Sequence, residues 1–310
     1  MPNGYSETMK FGCLLDMDGV IYRGSEVIPG APEFIRFLGS AGIPYLFLTN
    51  NSAPTPLDMV VKLKKFGIDT DTSHIYTSAM ATAEWVRKQQ PEGDATAYVI
   101  GETGLLTALH EAGVAITTSK PDYVIVGEGR TLNFEMTEIA HRAIEAGAGL
   151  VATNPDTWCP TDAGPRPGCG AIAALLESAT GRQAYKVGKP NPFMFRAARK
   201  KLGLSTDEVL MIGDTMDTDI RGATDSGFQS ILVLTGSTRP EELHRYPFRP
   251  TVVVDSIAAL VPPKNGDSDA IWGLVQALRN AGHTDKPNPL NGLAAVAQVP
   301  SPSRRSRTAR

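Results

Sequence analysis

In the stretch CLLDMDGVIYRG, a short apolar run ends on two aspartates, Asp16 and Asp18. In extended backbone, residues two apart face the same side, so both carboxylates address one place. Carboxylates that close repel each other. At the edge of a core they cost stability unless a cation or a chemical task needs them there. The pattern recurs along the chain: PYLFLT ends on Thr49, and EVLMIG runs into Asp214, with Asp219 beyond it.

Helical patterns lie between these runs. APEFIRFLGSAG offers Pro32 for a start, Phe34, Phe37 and Leu38 for an apolar stripe, and Gly42 for a stop. PTPLDMVVKLKKFGI carries Met59, Val60, Leu63 and Phe66 at helical spacing, and FMFRAARKKLG reads as a further helix. Apolar strands alternating with helices predict an α/β fold on a doubly wound parallel sheet. Ligands of such sheets bind at the carboxyl ends of the strands, where Asp16, Asp18, Thr49 and Asp214 all fall.

The chain has 310 residues, enough for about two domains. AYVIGETG, DYVIVGEG and GLVATNPD read as a separate set of strand-plus-turn units. They predict an inserted α/β domain over residues 79–182. Residues 1–78 and 183–263 then form the two parts of the main domain, ending in the strands QSILVLTG and PTVVVDS. Residues 264–310 are a C-terminal extension, with one amphipathic segment, DAIWGLVQALRNAG, and a disordered tail from residue 283.

A net charge of −3 argues against nucleic acid and anionic membranes as partners. The apolar runs are too short to span a bilayer, and the N-terminus lacks the pattern of an export signal. Three cysteines, Cys13, Cys159 and Cys169, form no framework. Free thiols in a reducing cytoplasm are the expectation, with a Cys159–Cys169 bridge as the lesser alternative. The histidines show no metal-ligand spacing. No G-x-S-x-G elbow is present, and in VGKP a proline replaces the Ser or Thr that a P-loop needs.

Lys189, in VGKPNP, is the lysine nearest a predicted strand end. Three carboxylates, a hydroxyl and a lysine thus converge from remote segments, a set that suits a phosphate ester and Mg²⁺. Mg²⁺ takes oxygen ligands and bridges carboxylate to phosphate. Lys189 supplies a compact positive charge, and Thr49 and the N–H groups of the Thr49-Asn50-Asn51 turn can donate to phosphate oxygens. Asp16 is the nucleophile candidate, forming an aspartyl phosphate. Asp18 would protonate the leaving oxygen and then activate water, meeting the metal through its backbone carbonyl. Asn154 and Asp156 are candidates for shaping the substrate pocket. Asp217 is read as an ordinary helix-start acid.

The segments DMDGV, LTNNS, VGKPNP and MIGDTMDTDI, in that order, resemble the four motifs of the haloacid dehalogenase superfamily. The likeness covers nearly all of residues 10–260. YTSAMATAEWVRK, VATNPDTWCP and GCGAIAALLESATGR resemble its class IIA, the NagD-type phosphatases, whose cap is inserted after the second motif. The resemblance implies Asp16 as nucleophile and Asp18 as acid and base. Phosphate falls to Thr49, Asn50 and Lys189, and metal to Asp16, Asp18 and Asp214. Asp219 and Thr215 would support, Asp219 by orienting the surroundings of Lys189. It also implies a small phosphorylated metabolite, a nucleoside monophosphate among the options, and is compatible with a homodimer. The loop TWCPTDAGPRPGCGA departs from the pattern in being proline-rich and carrying Arg166, which leaves the substrate open. Two other readings stand beside it. A receiver-like phospho-aspartate module would lack Asp18 and the insertion, and a non-catalytic scaffold would lack a motif residue.

Overall fold

The computed structural model describes residues 11–159, 161 and 163–261. The amphipathic segment and tail expected beyond residue 263 lie outside the described residues. Six strands form the first sheet, in the spatial order Val252–Val254, Val209–Gly213's outer neighbour Gln229–Val233, Val209–Gly213 itself, Gly12–Leu15, Tyr45–Thr49 and Ile75–Thr77. Every pairing is parallel. Chain order reverses between Gly12–Leu15 and Val209–Gly213, which pair with Leu15 opposite Ile212. A crevice opens at such a reversal because the connections leave in opposite directions, and ligands bind there.

The central strands are apolar throughout because both faces are covered. Alternation sends Leu15 and Phe47 to one face, against Phe34, Ile35, Leu38, Met59 and Leu63. It sends Leu14, Leu46, Leu48 and Met211 to the other, against Ala79, Ala83, Val86, Met194 and Phe195. The first group lies on the helices Ala31–Ser40 and Pro56–Lys65, and the second on Ser78–Gln89 and Pro192–Leu202. Three expected stripe residues, Phe37, Val60 and Phe66, pack at the margin of the core and not within it. Phe37 is only partly buried, the seam running instead through Phe34, Ile35 and Leu38. Phe66 caps the helix Pro56–Lys65, and its ring lies 5.5 Å from that of Tyr22. That helix starts at a capping box, in which Thr55 and Asp58 satisfy each other's backbone N–H.

A second, five-stranded parallel sheet lies between Ile75–Thr77 and Val209–Gly213 in the chain. Its order is Tyr185–Lys186, Gly149–Ala152, Tyr123–Val126, Thr96–Ile100 and Ala115–Ile116. Tyr185–Lys186 falls beyond residue 182 yet pairs with Val151 and Ala152. Only two residues long, it shows no apolar run, and its partner lies more than thirty residues back. The helix Ser78–Gln89 joins the layers: one apolar cluster holds Leu46 and Leu48 of the first sheet with Ala97, Ile125 and Val151 of the second. A small antiparallel hairpin, Trp158–Cys159 with Arg166–Pro167, projects from the second layer. All three cysteines are free thiols.

Candidate functional site

Asp16 follows the strand Gly12–Leu15 directly, and its N–H still donates to Ile212 O at 2.9 Å. The side chain is thereby pinned at the switch point. Its Oδ1 accepts from Met17 N–H at 2.8 Å and lies 2.6 Å from Lys189 Nζ. Lys189 is only 2% exposed and also reaches Asp219 Oδ1 at 2.7 Å. Asp219 stands on a π-turn, Met216–Ile220, just past the strand that delivers Asp214. Its second oxygen accepts from Asp214 N–H at 3.2 Å and Thr215 N–H at 3.1 Å.

Asp214 is fixed from both sides. Ser237 N–H donates to its Oδ2 at 2.5 Å, and Thr215 Oγ1 to its Oδ1 at 3.1 Å. Two glycines make room for it. A Cβ on Gly19 would stand 2.7 Å from Asp214 Oδ2, and one on Gly236 would collide with the same oxygen. Gly19 further needs its positive φ of 81° to make the turn after Asp18. The backbone at residues 18 and 19 thus runs against the Asp214 carboxylate.

Carboxylate oxygens of Asp16, Asp214 and Asp219 lie within 4.8 Å of one another, all buried. Desolvation pushes Asp16 up to about 7, opposed by Lys189 and reinforced by Asp214. Asp219 is likewise pushed up to about 7, by burial and then by Asp16. Burial raises Asp214 as well, with Asp219 adding to it. Burial alone would lower Lys189, but Asp16 and Asp219 outweigh it and hold the ammonium charged. Three buried carboxylates facing one ammonium form a donor set that a hard divalent cation fits. Asp16, Asp214 and the backbone at Asp18 are the expected holders of such an ion, with Asp219 committed to Lys189 and to two backbone N–H groups beside them.

Asp18 is exposed in the cleft. The cleft walls still strip enough water to raise its carboxyl, against the pull of Lys62, Arg23 and Lys189. Thr49 is buried at its strand end and its Oγ1 accepts from Asn51 N–H at 3.1 Å. The side-chain amide of Asn50 is spent within the protein. Its Nδ2 donates to Asp156 Oδ2 and Lys189 O, both at 3.0 Å, and its Oδ1 accepts from Lys189 N–H at 2.8 Å. What Asn50 can offer a phosphate is its backbone, and its amide instead clamps the loop carrying Lys189. Asn154 is fully buried, holding Asn50 O at 2.7 Å and accepting from Asp156 N–H at 3.0 Å. Asp156 reaches the cleft, and burial pushes it up to about 6 despite the Asn50 hydrogen bond. Asp217 stays apart from the acidic cluster and accepts from Tyr246 O–H at 2.9 Å.

The cleft is lined by Asp16, Asp18, Thr49 and Lys189 from the first layer and by Glu128, Asp156, Trp158 and Arg166 from the second. Glu128 was passed over in the sequence, where GEGR looks like an ordinary turn. Its carboxylate is buried, 3.0 Å from Arg166. The Gly236–Thr238 loop that grips Asp214 was also missed. Its one local sign is a glycine directly after a strand-like run.

A doubly wound sheet with this acid–lysine cluster at its switch point, facing a second α/β layer across a cleft, defines a class of phosphate-ester hydrolases. Comparison with known proteins sharpens this. The haloacid dehalogenase-like hydrolase model matches residues 13–115, and a second, HAD-hydrolase-like model matches residues 186–260. A dihydroxyacetone phosphatase of Corynebacterium glutamicum is 44% identical over 82% of this chain and 91% of its own. The ribonucleotide monophosphatase NagD of Escherichia coli is 38% identical over 80% of this chain and 96% of its own. The solved NagD structure superposes with a TM-score of 0.76, covering 81% of this chain and 98% of that one. The chain therefore belongs to the haloacid dehalogenase-like hydrolases, with the NagD-type phosphatases, and is a phosphatase of phosphate monoesters. The receiver-like and non-catalytic readings fall with this result. Among the described residues no helix is long and apolar enough to cross a membrane.

Proposed function

We propose that the protein is a cytoplasmic, Mg²⁺-dependent phosphatase of small phosphate monoesters that works through an aspartyl phosphate on Asp16. The observation that carries this reading is the Asp16 carboxylate, 2.6 Å from Lys189 and within metal-ligand reach of Asp214, at the switch point of the sheet. In the first step an Asp16 oxygen attacks phosphorus and the bond to the leaving oxygen breaks, while Asp18 gives that oxygen its proton. In the second, water attacks phosphorus as Asp18 takes a proton back. The Asp16–phosphate bond then breaks, releasing inorganic phosphate.

Lys189 and Thr49 hold the phosphate oxygens, and Asp219 keeps the lysine charged and aimed. Bound at Asp16, Asp214 and the Asp18 carbonyl, Mg²⁺ would neutralise the carboxylates and offset charge building on the phosphoryl group. The inserted layer, residues 79–182 as read from the sequence, acts as a cap that excludes bulk water and selects the leaving group. Nucleoside monophosphates and triose phosphates are the first substrates to try, since the relatives include a ribonucleotide monophosphatase and a dihydroxyacetone phosphatase. The test is phosphate release from a metabolite panel with Mg²⁺, using Asp16→Asn protein as the blank. Release from at least one monoester by the wild type alone is expected. No release across the panel, or equal release by the variant, overturns the proposal.

A further inference from the structure

Across the cleft from the phosphate groups, the hairpin Trp158–Cys159/Arg166–Pro167 carries a cation whose surroundings are built around it. Arg166 NH2 donates to Glu128 Oε2 at 3.0 Å, and NH1 donates to Pro167 O at 3.3 Å. Glu128 is itself held in place. Its Oε1 accepts from Cys169 N–H at 3.3 Å, at the start of the helix Cys169–Thr180, and Cys159 Sγ lies 3.2 Å from both of its oxygens. The Glu128 side chain is 3% exposed and that of Arg166 is 26% exposed, in the wall of the cleft.

A guanidinium has five N–H donors in one plane, and these two contacts use one each. Of the remaining three, Nε is buried without a partner, and Arg166 stands in the cleft wall with donors still unspent. A buried carboxylate 3.0 Å away cancels most of the group's charge. A donor of that kind favours a neutral oxygen over a second anion, because an added anion would meet both Arg166 and the Glu128 charge behind it. Beside it, Trp158 and Leu132 offer exposed apolar surface to the same cleft.

From this arrangement we infer that the Glu128–Arg166 pair is the specificity element of the phosphatase, selecting leaving groups that are uncharged and carry hydroxyl or carbonyl oxygens. Monoesters bearing a second carboxylate or phosphate are discriminated against. The inference rests on the proposed phosphatase reading and adds the chemical class of the leaving group to it.

The test compares kcat/KM for three kinds of substrate on the wild type, Glu128→Gln and Arg166→Lys. They are a neutral hydroxylated monoester (dihydroxyacetone phosphate, a nucleoside monophosphate), an anionic one (phosphoglycolate, 3-phosphoglycerate) and phenyl phosphate. Phenyl phosphate lacks leaving-group oxygens beyond the bridging one, and its hydrolysis reports the phosphate chemistry separately. The wild type should prefer the neutral hydroxylated substrates over the anionic ones by tenfold or more. Glu128→Gln keeps an acceptor oxygen but drops the charge, so that preference should shrink at least fivefold, mainly through KM. Arg166→Lys keeps the charge but loses the planar donors. It should lower the ratio of hydroxylated substrate to phenyl phosphate at least fivefold. Ratios within twofold of wild type in both variants, at matched thermal stability, would overturn the inference while phenyl phosphate hydrolysis still supports the phosphatase. A wild type inactive on all three substrate kinds would overturn the function and the inference with it.

Discussion

Lys189 and Asp219 form a buried ion pair, Nζ to Oδ1 at 2.7 Å, with 3% and 0% of their side chains exposed. Thirty residues separate them in the chain, and the pair joins the loop before the helix Pro192–Leu202 to the π-turn after the strand Val209–Gly213. Asp219, with Asp16 on the other side of the ammonium, thus lets a lysine sit in the core. Removing one member of a buried pair leaves the other uncompensated, which costs about 3–5 kcal/mol. Asp219→Ala should lose stability on that scale in urea unfolding and reduce turnover as well. A loss below about 1 kcal/mol would show that Asp16 alone suffices for the lysine.

Asp16→Asn should retain the fold, since the amide oxygen can still accept from Met17 N–H and Lys189. An amide cannot serve as the attacking carboxylate, so phosphate release should fall to background. Phosphatase activity surviving in a homogeneous sample of this variant would assign the nucleophile elsewhere.

Asp18 stands exposed in the cleft and makes no structural contact comparable to those of Asp16. Asp18→Ala should therefore fold normally and lose about 10²–10⁴ in kcat, the usual contribution of a general acid or base. The deficit should be smaller for p-nitrophenyl phosphate, whose leaving group needs little protonation. An equal deficit on good and poor leaving groups would remove Asp18 from the acid role.

Binding of Mg²⁺ to the carboxylate cluster should stabilise the folded state by mass action, independently of turnover. Adding millimolar Mg²⁺ should raise the melting temperature of the wild type, and EDTA should reverse it. Asp214→Asn should abolish the shift. Gly236→Ala should weaken it, because the new Cβ collides with Asp214 Oδ2. A full shift in the Asp214 variant would place the ion elsewhere.

Asp156 ties stability to pH. Its folded pKa is about 6 against an ordinary 3.8. Between these values the native state keeps a proton that the unfolded chain has lost, so stability falls as pH rises and the loss is complete above about 6. Asp156→Asn removes this contribution. Relative to wild type, the variant should gain about 2 kcal/mol or slightly more between pH 4 and pH 7, read by urea melts at each pH. A constant difference across that range would contradict the burial of this carboxyl.

Much of the architecture was legible because it is local. Gly12–Leu15 and Val209–Gly213 announce themselves as apolar runs, and Asp16 and Asp214 stand at their ends within the same few residues. Strand-end chemistry needs no knowledge of distant partners. Lys189 was placed by its loop, and Asp219 by its distance from Asp214. The ends of helices were less legible, as Phe37 and Phe66 show, since a stripe read at one residue's precision depends on the surface it meets.

Apolar pattern and strand-end acids thus sufficed for the α/β class and the carboxylate–lysine cluster, because both arise from periodicity and short-range chain direction. Folding in three dimensions alone could set the Asn50 amide on the Lys189 backbone, bring the Gly236–Thr238 loop onto Asp214, add Tyr185–Lys186 to the second sheet and seat Arg166 on Glu128. Each of those contacts joins residues more than twenty positions apart. A hydrogen bond of that span leaves no periodic trace in the chain, and its partners become neighbours only when packed layers bring their loops together.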